Sequence, residues 1–318
     1  AKLPCCTIED RPRFAWRGLM IDTARHFIEI ATLRRTLDAM AYFRMNVLHL
    51  HLSDDQGFRF GSEAFPDLPS ADHYGRGELA ELVAYAADRG IRVVPELDCP
   101  GHVTSWLAAR PEWGARSVDG PSVAFGAHEA TLDTTDPEVW NALEILFGEI
   151  AGTFPDEFLH FGGDEVNGKW WLESDRIRQH MTRQGLVDAR DLQAEFNARI
   201  ADVIGRLGRR AMAWDEVVHE RLPKDVLVQA WRGARAPGTV CQAGFDSVVS
   251  GPYYLDFCYP ADLHYAHDPG ATIAQAQAVD GRNAANPRLA HVAAGIEWFR
   301  SFASFPSVAA DEPGTVLG

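Results

Sequence analysis

Short apolar runs recur along the chain, and most are followed by a polar or glycine-rich turn and then by a segment with helical periodicity. Parallel strands are covered on both faces, so continuous apolar runs of this kind indicate buried parallel strands. The runs lie at residues 18–21, 47–52, 92–97, 158–161, 210–213, 226–230 and 246–250. The alternation of strands with helices predicts an α/β fold.

Helices are predicted between the strands, at residues 32–43, 78–89 and 137 to about 150, with further helical segments up to residue 207. Gly90 directly follows the second of these helices, where glycine commonly forms a C-terminal cap. Pro137 suits the first turn of the third helix, because that position needs no N–H donor. Residues 111–132 have the composition of a loop.

Polar or aromatic residues stand at the C-terminal end of nearly every predicted strand. A (β/α)₈ barrel builds its active site there, whereas a doubly wound sheet concentrates its ligands at one switch point. We therefore predict an α/β TIM barrel that forms a single catalytic domain over residues 1–318. The tail at 271–318 contains one helical stretch, around 289–299, and no clear eighth strand. The last strand is thus predicted to be lacking or substituted.

Composition excludes some functions. The chain has a formal net charge of −15, from 45 acidic and 30 basic side chains, which argues against binding to nucleic acid. No apolar run approaches the ~20 residues that cross a bilayer, so no membrane partner is expected. Residues 1–10 lack the architecture of a signal peptide. A processed N-terminus would lack it too, so the sequence does not indicate the compartment. The five cysteines show no metal-ligand spacing, and we expect neither metal nor cofactor.

Asp164 and Glu165 are the leading candidates for catalysis. They follow Gly162 and Gly163 at the end of a predicted strand, where bare backbone lets a substrate approach closely. Consecutive Cα atoms are only ~3.8 Å apart, so these carboxyl groups cannot easily flank a sugar as the two carboxyls of most retaining glycosidases do. One would instead protonate the leaving oxygen, while the other orients a nucleophile belonging to the substrate. Two close carboxyls also raise one pKa, which keeps an acid protonated.

Four motifs carry a family resemblance. They are RGLMIDTARHF at 17–27, HLHLSDDQG at 49–57, PELDCPGH at 95–102 and HFGGDE at 160–165. In order and spacing they resemble the glycoside hydrolases of family 20, the β-N-acetylhexosaminidases, over roughly residues 9–265. The resemblance implies a retaining enzyme that removes terminal N-acetylglucosamine or N-acetylgalactosamine from oligosaccharides, including those derived from chitin. It also implies substrate-assisted catalysis through an oxazolinium intermediate.

The resemblance further implies roles for individual residues. Glu165 corresponds to the general acid/base, and Asp164 to the residue that orients the acetamido group. Arg25 would hold the sugar's O3 and O4, a task that suits the guanidinium fork. Asp54 and His102 correspond to a hydrogen-bonded pair that assists proton cycling at the acid/base.

Aromatic residues at later strand ends would complete the sugar pocket. Trp214 and Trp231 correspond to apolar walls around the N-acetyl methyl group, which also exclude water. Tyr254 and Asp256 correspond to a phenol that contacts the acetamido oxygen and to an acid in the pocket. Tyr253 stands beside Tyr254, which leaves two registers open.

The chain departs from the family pattern at both ends. Family members usually carry a small α/β domain before the barrel, and none is expected here. Residues 314–318 look like the approach to a last-strand motif that supplies an aromatic wall and a glutamate, and the chain stops where that motif begins. Open barrel edges are costly, so we expect a truncated barrel closed by a rearranged C-terminal segment or by another subunit in a homo-oligomer.

Other functions stay open on the sequence. A family-20 enzyme that releases a disaccharide and a catalytically weak sugar-binding fragment both fit the motifs. His49 and His51 at a strand end resemble the His-x-His of a metal-dependent amidohydrolase barrel, although that fold's further metal ligands are missing. Because these histidines alternate with leucines, buried structural side chains are the favoured interpretation.

Overall fold

The computed structural model describes residues 5–233, 235–257, 260–272, 274–276, 278 and 314–317. Each predicted strand is present within one or two residues of its expected bounds. The strands are β1 (Gly18–Asp22), β2 (Val47–His51), β3 (Ser53–Asp54), β4 (Gly57–Phe58), β5 (Arg92–Glu96), β6 (Phe158–His160), β7 (Arg210–Trp214), β8 (Leu227–Ala230) and β9 (Ser247–Val249). The strands β3 and β4, which were not predicted, form a short antiparallel pair after β2.

Helices separate most of the strands, as the periodicity predicts. They are α1 (Ile30–Tyr42), α2 (Arg76–Ala87), α3 (Thr104–Ala109), α4 (Pro137–Thr153), α5 (Lys169–Glu173), α6 (Asp175–Gln184), α7 (Ala189–Arg206), α8 (Ala236–Gln242) and α9 (Ala261–Ala266). Helix α4 begins at Pro137, and the Asp136 side chain accepts a hydrogen bond from the Glu138 N–H at 2.9 Å. Such an N-cap satisfies a donor that has no partner within the helix. The predicted helix at 289–299 lies outside the described residues.

The main sheet has the order β1-β2-β5-β6-β7-β8-β9, and every pair in it is parallel. Each strand therefore pairs with the next strand of the sheet along the chain. A doubly wound sheet would reverse direction at a switch point, whereas this uninterrupted order is that of a (β/α)₈ barrel. The predicted fold class is confirmed, and the carboxyl ends of all seven strands open toward the same end of the barrel.

Residues 315–317 occupy the eighth position of the barrel. The Ser247 N–H donates to the Thr315 carbonyl at 2.7 Å, and the Leu317 N–H donates to the Ser247 carbonyl at 2.8 Å. The segment runs parallel to β9. On its other side, the Trp16 N–H donates to the Leu317 carbonyl at 3.0 Å, just before β1. A short stretch of the same chain thus substitutes for the last strand.

Apolar side chains fill the barrel below its carboxyl end. One buried layer closes the barrel interior, and Leu317 packs against it; its members are Trp16, Val47, Val94, Phe158, Met212, Leu227 and Val248. A larger core lies between the sheet and the surrounding helices. Because this packing occupies the amino-terminal half of the barrel, a ligand site is left at the carboxyl end. Within the described part of the chain, no helix is both long and apolar enough to span a membrane.

Candidate active site

The turn after β6 presents the two predicted catalytic acids. Gly162 and Gly163 have φ angles of 73° and 89°, a region that favours glycine. A Cβ atom on Gly162 would lie 1.7 Å from Asp98 Oδ1, so only a residue without a side chain fits next to that carboxyl group. The Gly163 N–H donates to the same oxygen at 3.1 Å. Glu165 also has a positive φ of 48°, and strain in a non-glycine residue is typical of functional sites.

Asp54 is a buried carboxylate with three cationic neighbours. Its Oδ2 atom lies 2.9 Å from His51 Nε2 and 2.8 Å from Arg25 Nη2. Its Oδ1 atom lies 3.2 Å from His102 Nδ1. Burial alone would raise the pKa of Asp54, but these neighbours outweigh burial and hold the pKa well below its ordinary value. Asp54 is therefore an anion that positions both Arg25 and His102.

His102 connects Asp54 to the acid pair. Its Nε2 atom lies 3.6 Å from Asp164 Oδ2 and 3.6 Å from Glu165 Oε2. Burial would lower the pKa of His102, but the carboxylates around it, Asp164 and Asp54 foremost, raise that pKa well above its ordinary value. Burial raises the pKa of Asp164, and the His102 ring opposes that shift. The four residues predicted to be catalytic thus form one connected group.

Glu96, which was not predicted to belong to the site, is surrounded by three histidines and a tryptophan. Its Oε2 atom lies 2.7 Å from His49 Nε2 and 2.8 Å from His51 Nδ1. Its Oε1 atom lies 3.3 Å from His160 Nδ1 and accepts a hydrogen bond from Trp214 Nε1 at 2.8 Å. The sequence carries one signal that could have identified Glu96. This glutamate stands at the end of an apolar strand, and a charged residue is rarely buried unless it is paired.

The tryptophans and Tyr254 lie together where β7, β8 and β9 end. Trp214 and Trp231 are 3% and 5% exposed and form one cluster, against which Tyr254 packs. Trp231 Nε1 donates to the Glu216 carboxylate at 2.9 Å, a partner that the sequence analysis also missed. The Tyr253 hydroxyl donates to the His267 carbonyl at 3.1 Å. Tyr254, rather than Tyr253, therefore faces the tryptophans.

The remaining predicted residue, Asp256, lies on the exposed turn after Tyr254. Burial raises the pKa of the Tyr254 phenol well above its ordinary value, and the nearby Asp164 and Glu216 raise it further. The phenol is therefore a neutral hydrogen-bond donor. Arg25, 27% exposed, follows the end of β1 and contacts Asp54, so it joins the group of Asp54 and His102.

Several of these side chains lie close enough together to share a cation. The groups whose ligand atoms fall within 4.8 Å of one another are His49, Glu96 and His160; His51, Glu96 and Asp98; Asp54, Asp98 and His102; and His102, Asp164 and Glu165. In each group a histidine contacts a carboxyl group or lies between two of them. The same geometry is therefore accounted for by histidine–carboxylate pairing, without a metal ion.

Sequence comparisons identify related proteins. Residues 14–295 match the model of glycosyl hydrolase family 20, catalytic domain. The chain is 35% identical over 264 residues to β-hexosaminidase subunit β of Homo sapiens, covering 79% of this chain and 47% of that protein. It is 35% identical over 277 residues to a β-hexosaminidase of Akkermansia muciniphila, covering 80% of this chain and 56% of that protein. The chain thus spans about half the length of these curated relatives.

Solved structures share the fold. A chitobiase of Flavobacterium johnsoniae superposes with a TM-score of 0.80 at 35% identity, covering 84% of this chain and 43% of that one. An exo-β-N-acetylglucosaminidase of Vibrio harveyi, solved in complex with N-acetylglucosamine, superposes with a TM-score of 0.70 at 27% identity. That match covers 77% of this chain and 42% of the other.

The pairing around Glu96 predicts a large effect on stability. Burial would raise the pKa of Glu96, but the three histidines around it hold the pKa well below its ordinary value of 4.5. We expect Glu96→Gln to lower the free energy of unfolding by about 3–5 kcal/mol, the scale of breaking a buried ion pair. Urea unfolding measures this change. Glu81→Gln, which removes the partner of Arg34 from a side chain that is 74% exposed, should change stability little.

The sign of the pH dependence follows from the lowered pKa of Glu96. Its contribution is complete above the unfolded-state value of about 4.5 and is lost as the pH falls toward the folded-state value. The difference in stability between the wild type and Glu96→Gln should therefore shrink below pH ~4.5. A difference that grows as the solution is acidified would contradict the assignment of a charged Glu96.

Proposed function

The chain belongs to glycosyl hydrolase family 20, and we propose that it removes terminal β-linked N-acetylhexosamines from oligosaccharides with retention of configuration. The observation that carries this proposal is the connected group of Asp54, His102, Asp164 and Glu165 at the mouth of the barrel. The related chitobiase and the structure bound to N-acetylglucosamine support the same class of substrate. Oligosaccharides that end in N-acetylglucosamine or N-acetylgalactosamine are the substrates we propose.

Binding of the terminal sugar would use Arg25 and the two tryptophans, Trp214 and Trp231. Arg25 is fixed by Asp22 and Asp54, each at 2.8 Å, and its remaining donors can hold adjacent hydroxyl groups of the sugar. Trp214 and Trp231 would enclose the N-acetyl methyl group. Their indole N–H groups are already satisfied by carboxylates, so the rings can offer apolar surface to the substrate.

The first chemical step would use both members of the acid pair. Asp164 accepts a hydrogen bond from the acetamido N–H and turns the acetamido oxygen toward the anomeric carbon. That oxygen bonds to the carbon as the bond to the leaving oxygen breaks, while Glu165 gives its proton to the leaving oxygen. The product is an oxazolinium ion, whose positive charge the Asp164 carboxylate stabilises. The Tyr254 phenol can donate to the acetamido oxygen.

The second step would reverse these roles. The Glu165 carboxylate takes a proton from water, and the resulting hydroxide bonds to the anomeric carbon as the oxazolinium ring opens. Two displacements at that carbon retain its configuration. The His102 imidazolium, 3.6 Å from Glu165 Oε2, would stabilise the carboxylate between the two steps, and Asp54 keeps the imidazolium in place.

The proposal is tested by assaying the wild type on paired aryl β-N-acetylglucosaminide and β-N-acetylgalactosaminide. We expect hydrolysis of at least one, with the β-anomer as the first product in proton NMR. A thiazoline analogue of N-acetylglucosamine, which mimics the oxazolinium ion, should inhibit competitively, and a chelator should not. Formation of the α-anomer first, or loss of activity with the chelator, would overturn the mechanism.

Asp164→Asn tests the orienting role. An amide in place of the carboxylate cannot stabilise the oxazolinium charge and can misorient the acetamide. We expect kcat to fall by about 10²-fold or more, the loss that misplacement of a reacting group causes, with an unchanged circular dichroism spectrum. Asp175→Asn, at an exposed helix start whose side chain is 84% exposed, serves as the matched control. Near-normal turnover of Asp164→Asn would refute the role.

Glu165→Gln tests general acid catalysis. The loss should depend on the leaving group, because an activated phenol departs without a proton and a sugar hydroxyl does not. We expect kcat/KM for a β-linked disaccharide to fall by about 10²–10⁴-fold. For a dinitrophenyl glycoside, kcat/KM should fall far less. Equal losses on both substrates would argue against the acid role of Glu165.

A further inference from the structure

Two peptide groups lead into the acid pair, and the barrel holds the first of them on both sides. In the peptide between Gly162 and Gly163, the carbonyl accepts a hydrogen bond from the Trp214 N–H at 3.0 Å. The N–H of the same peptide donates to Asp98 Oδ1 at 3.1 Å. Trp214 ends β7, and Asp98 follows β5. This peptide therefore cannot rotate without losing a contact with a neighbouring strand.

The second peptide, between Gly163 and Asp164, is held by a side chain from a helix. Gln193 Nε2, on α7, donates to the Gly163 carbonyl at 2.8 Å. Among the described residues, Gln193 supplies the one hydrogen bond to this carbonyl. Gly163 is buried, and a buried carbonyl without a partner is costly. Gln193 thus satisfies a group that the sheet leaves unpaired.

The plane of this second peptide sets the direction in which the Asp164 side chain leaves the backbone. A peptide group is planar, so turning the Gly163 carbonyl also moves the Cα atom of Asp164. Gly163 has a φ of 89° and, as a glycine, restricts this rotation little. A Cβ atom there would lie 2.6 Å from Val217 Cγ1, so no stiffer residue fits. The turn therefore needs a tie from outside, and Gln193 provides it.

Helix α7 places the Gln193 amide firmly. The Asp188 side chain caps the helix by accepting from two N–H groups of its first turn, at 2.9 Å and 3.1 Å. Leu192, next to Gln193, is buried. A Cβ atom on Gly168 would lie 2.2 Å from the Ala189 Cβ, so the start of α7 packs directly on the chain that follows the acid pair.

We propose that Gln193 is a positioning residue that, by holding the Gly163 carbonyl, keeps the Asp164 carboxylate in the orientation that binds the acetamido N–H. This inference rests on the proposed function, in which Asp164 orients the acetamido group. Gln193 acts through the backbone and needs no contact with the sugar. A displacement of about 1 Å at a reacting group can cost about 10²-fold in rate, so the loss of this one hydrogen bond should be visible in turnover.

Gln193→Met removes the donor and keeps a side chain of similar length. We expect kcat for an aryl β-N-acetylglucosaminide to fall by about ten- to 10²-fold. KM should change by less than about threefold, because Arg25 and the tryptophans still hold the sugar. Gln193→Glu, which keeps the shape but has no donor when ionised, should show the same loss. Near-normal kcat in both variants would overturn the positioning role. So would a loss of kcat matched by an equal loss of folded protein in circular dichroism.

A double-mutant cycle shows whether Gln193 acts through Asp164. Once Asp164→Asn has removed the carboxylate, its orientation no longer matters. Gln193→Met should therefore lower kcat by less than about threefold in that background, since residues that act through one another are not additive. A merely structural contribution would lower kcat by the same factor in both backgrounds, and that result would contradict the proposal.

The leaving group separates Asp164 from Glu165, which follows the same turn. The acetamido group has to be oriented whatever group departs. Gln193→Met should therefore lower kcat/KM by similar factors for a β-linked disaccharide and for a dinitrophenyl glycoside. A loss confined to the disaccharide would assign the effect to Glu165 and overturn the role proposed for Gln193.

The matched control is Lys224→Met, just before β8 at the amino end of the barrel. Lys224 Nζ donates to the Ala243 carbonyl at 2.7 Å, so this variant also removes a hydrogen bond from a side chain to a carbonyl. It should leave kcat unchanged even where Tm falls. A wild type that hydrolyses neither substrate would overturn the proposed function. An active wild type with near-normal kcat in both Gln193 variants would overturn the positioning role alone.

Discussion

Two buried carboxylates, Asp54 and Glu96, hold the mouth of this barrel together. A carboxylate out of water is strongly destabilised unless close partners replace its hydration, and each of these has three or more. His51 lies between them, 2.9 Å from one and 2.8 Å from the other. Arg25, His102 and Trp214, three of the predicted site residues, are oriented by this shared network.

The barrel supplies the geometry that such pairing requires. In a parallel sheet with sequential order, the carboxyl ends of neighbouring strands lie side by side, so Asp54 after β2 meets residues that follow β1 and β5. Closure of the ring matters for the same reason. The segment at 315–317 joins β9 to the chain before β1, which holds the ends of the first and last strands of the sheet in place.

The adjacent carboxyl groups of Asp164 and Glu165 are the basis of the mechanism that we propose. Asp164 and Glu165 emerge from one glycine turn, and in the proposed mechanism they approach the sugar from one side and leave the nucleophile to the substrate. The tryptophans follow the next two strands of the sheet, β7 and β8, and Trp214 is hydrogen-bonded to Glu96. In the proposed mechanism, this one short turn carries both the residue that orients the acetamido group and the residue that protonates the leaving oxygen.

The sequence by itself determined the seven strands of the main sheet, their order and the adjacency of Asp164 and Glu165, because these depend on local apolar runs and on residues adjacent in the chain. Only the tertiary structure decided that Glu96 pairs with His49, His51 and His160, since these partners lie on β2 and β6 and Glu96 lies on β5. The tertiary structure also showed that Tyr254, and not Tyr253, packs against the tryptophans. The sequence did not predict that residues 315–317 occupy the eighth position of the barrel. Three residues carry too little periodicity to predict a strand, and their hydrogen bonds depend on partners about 70 and 300 residues away.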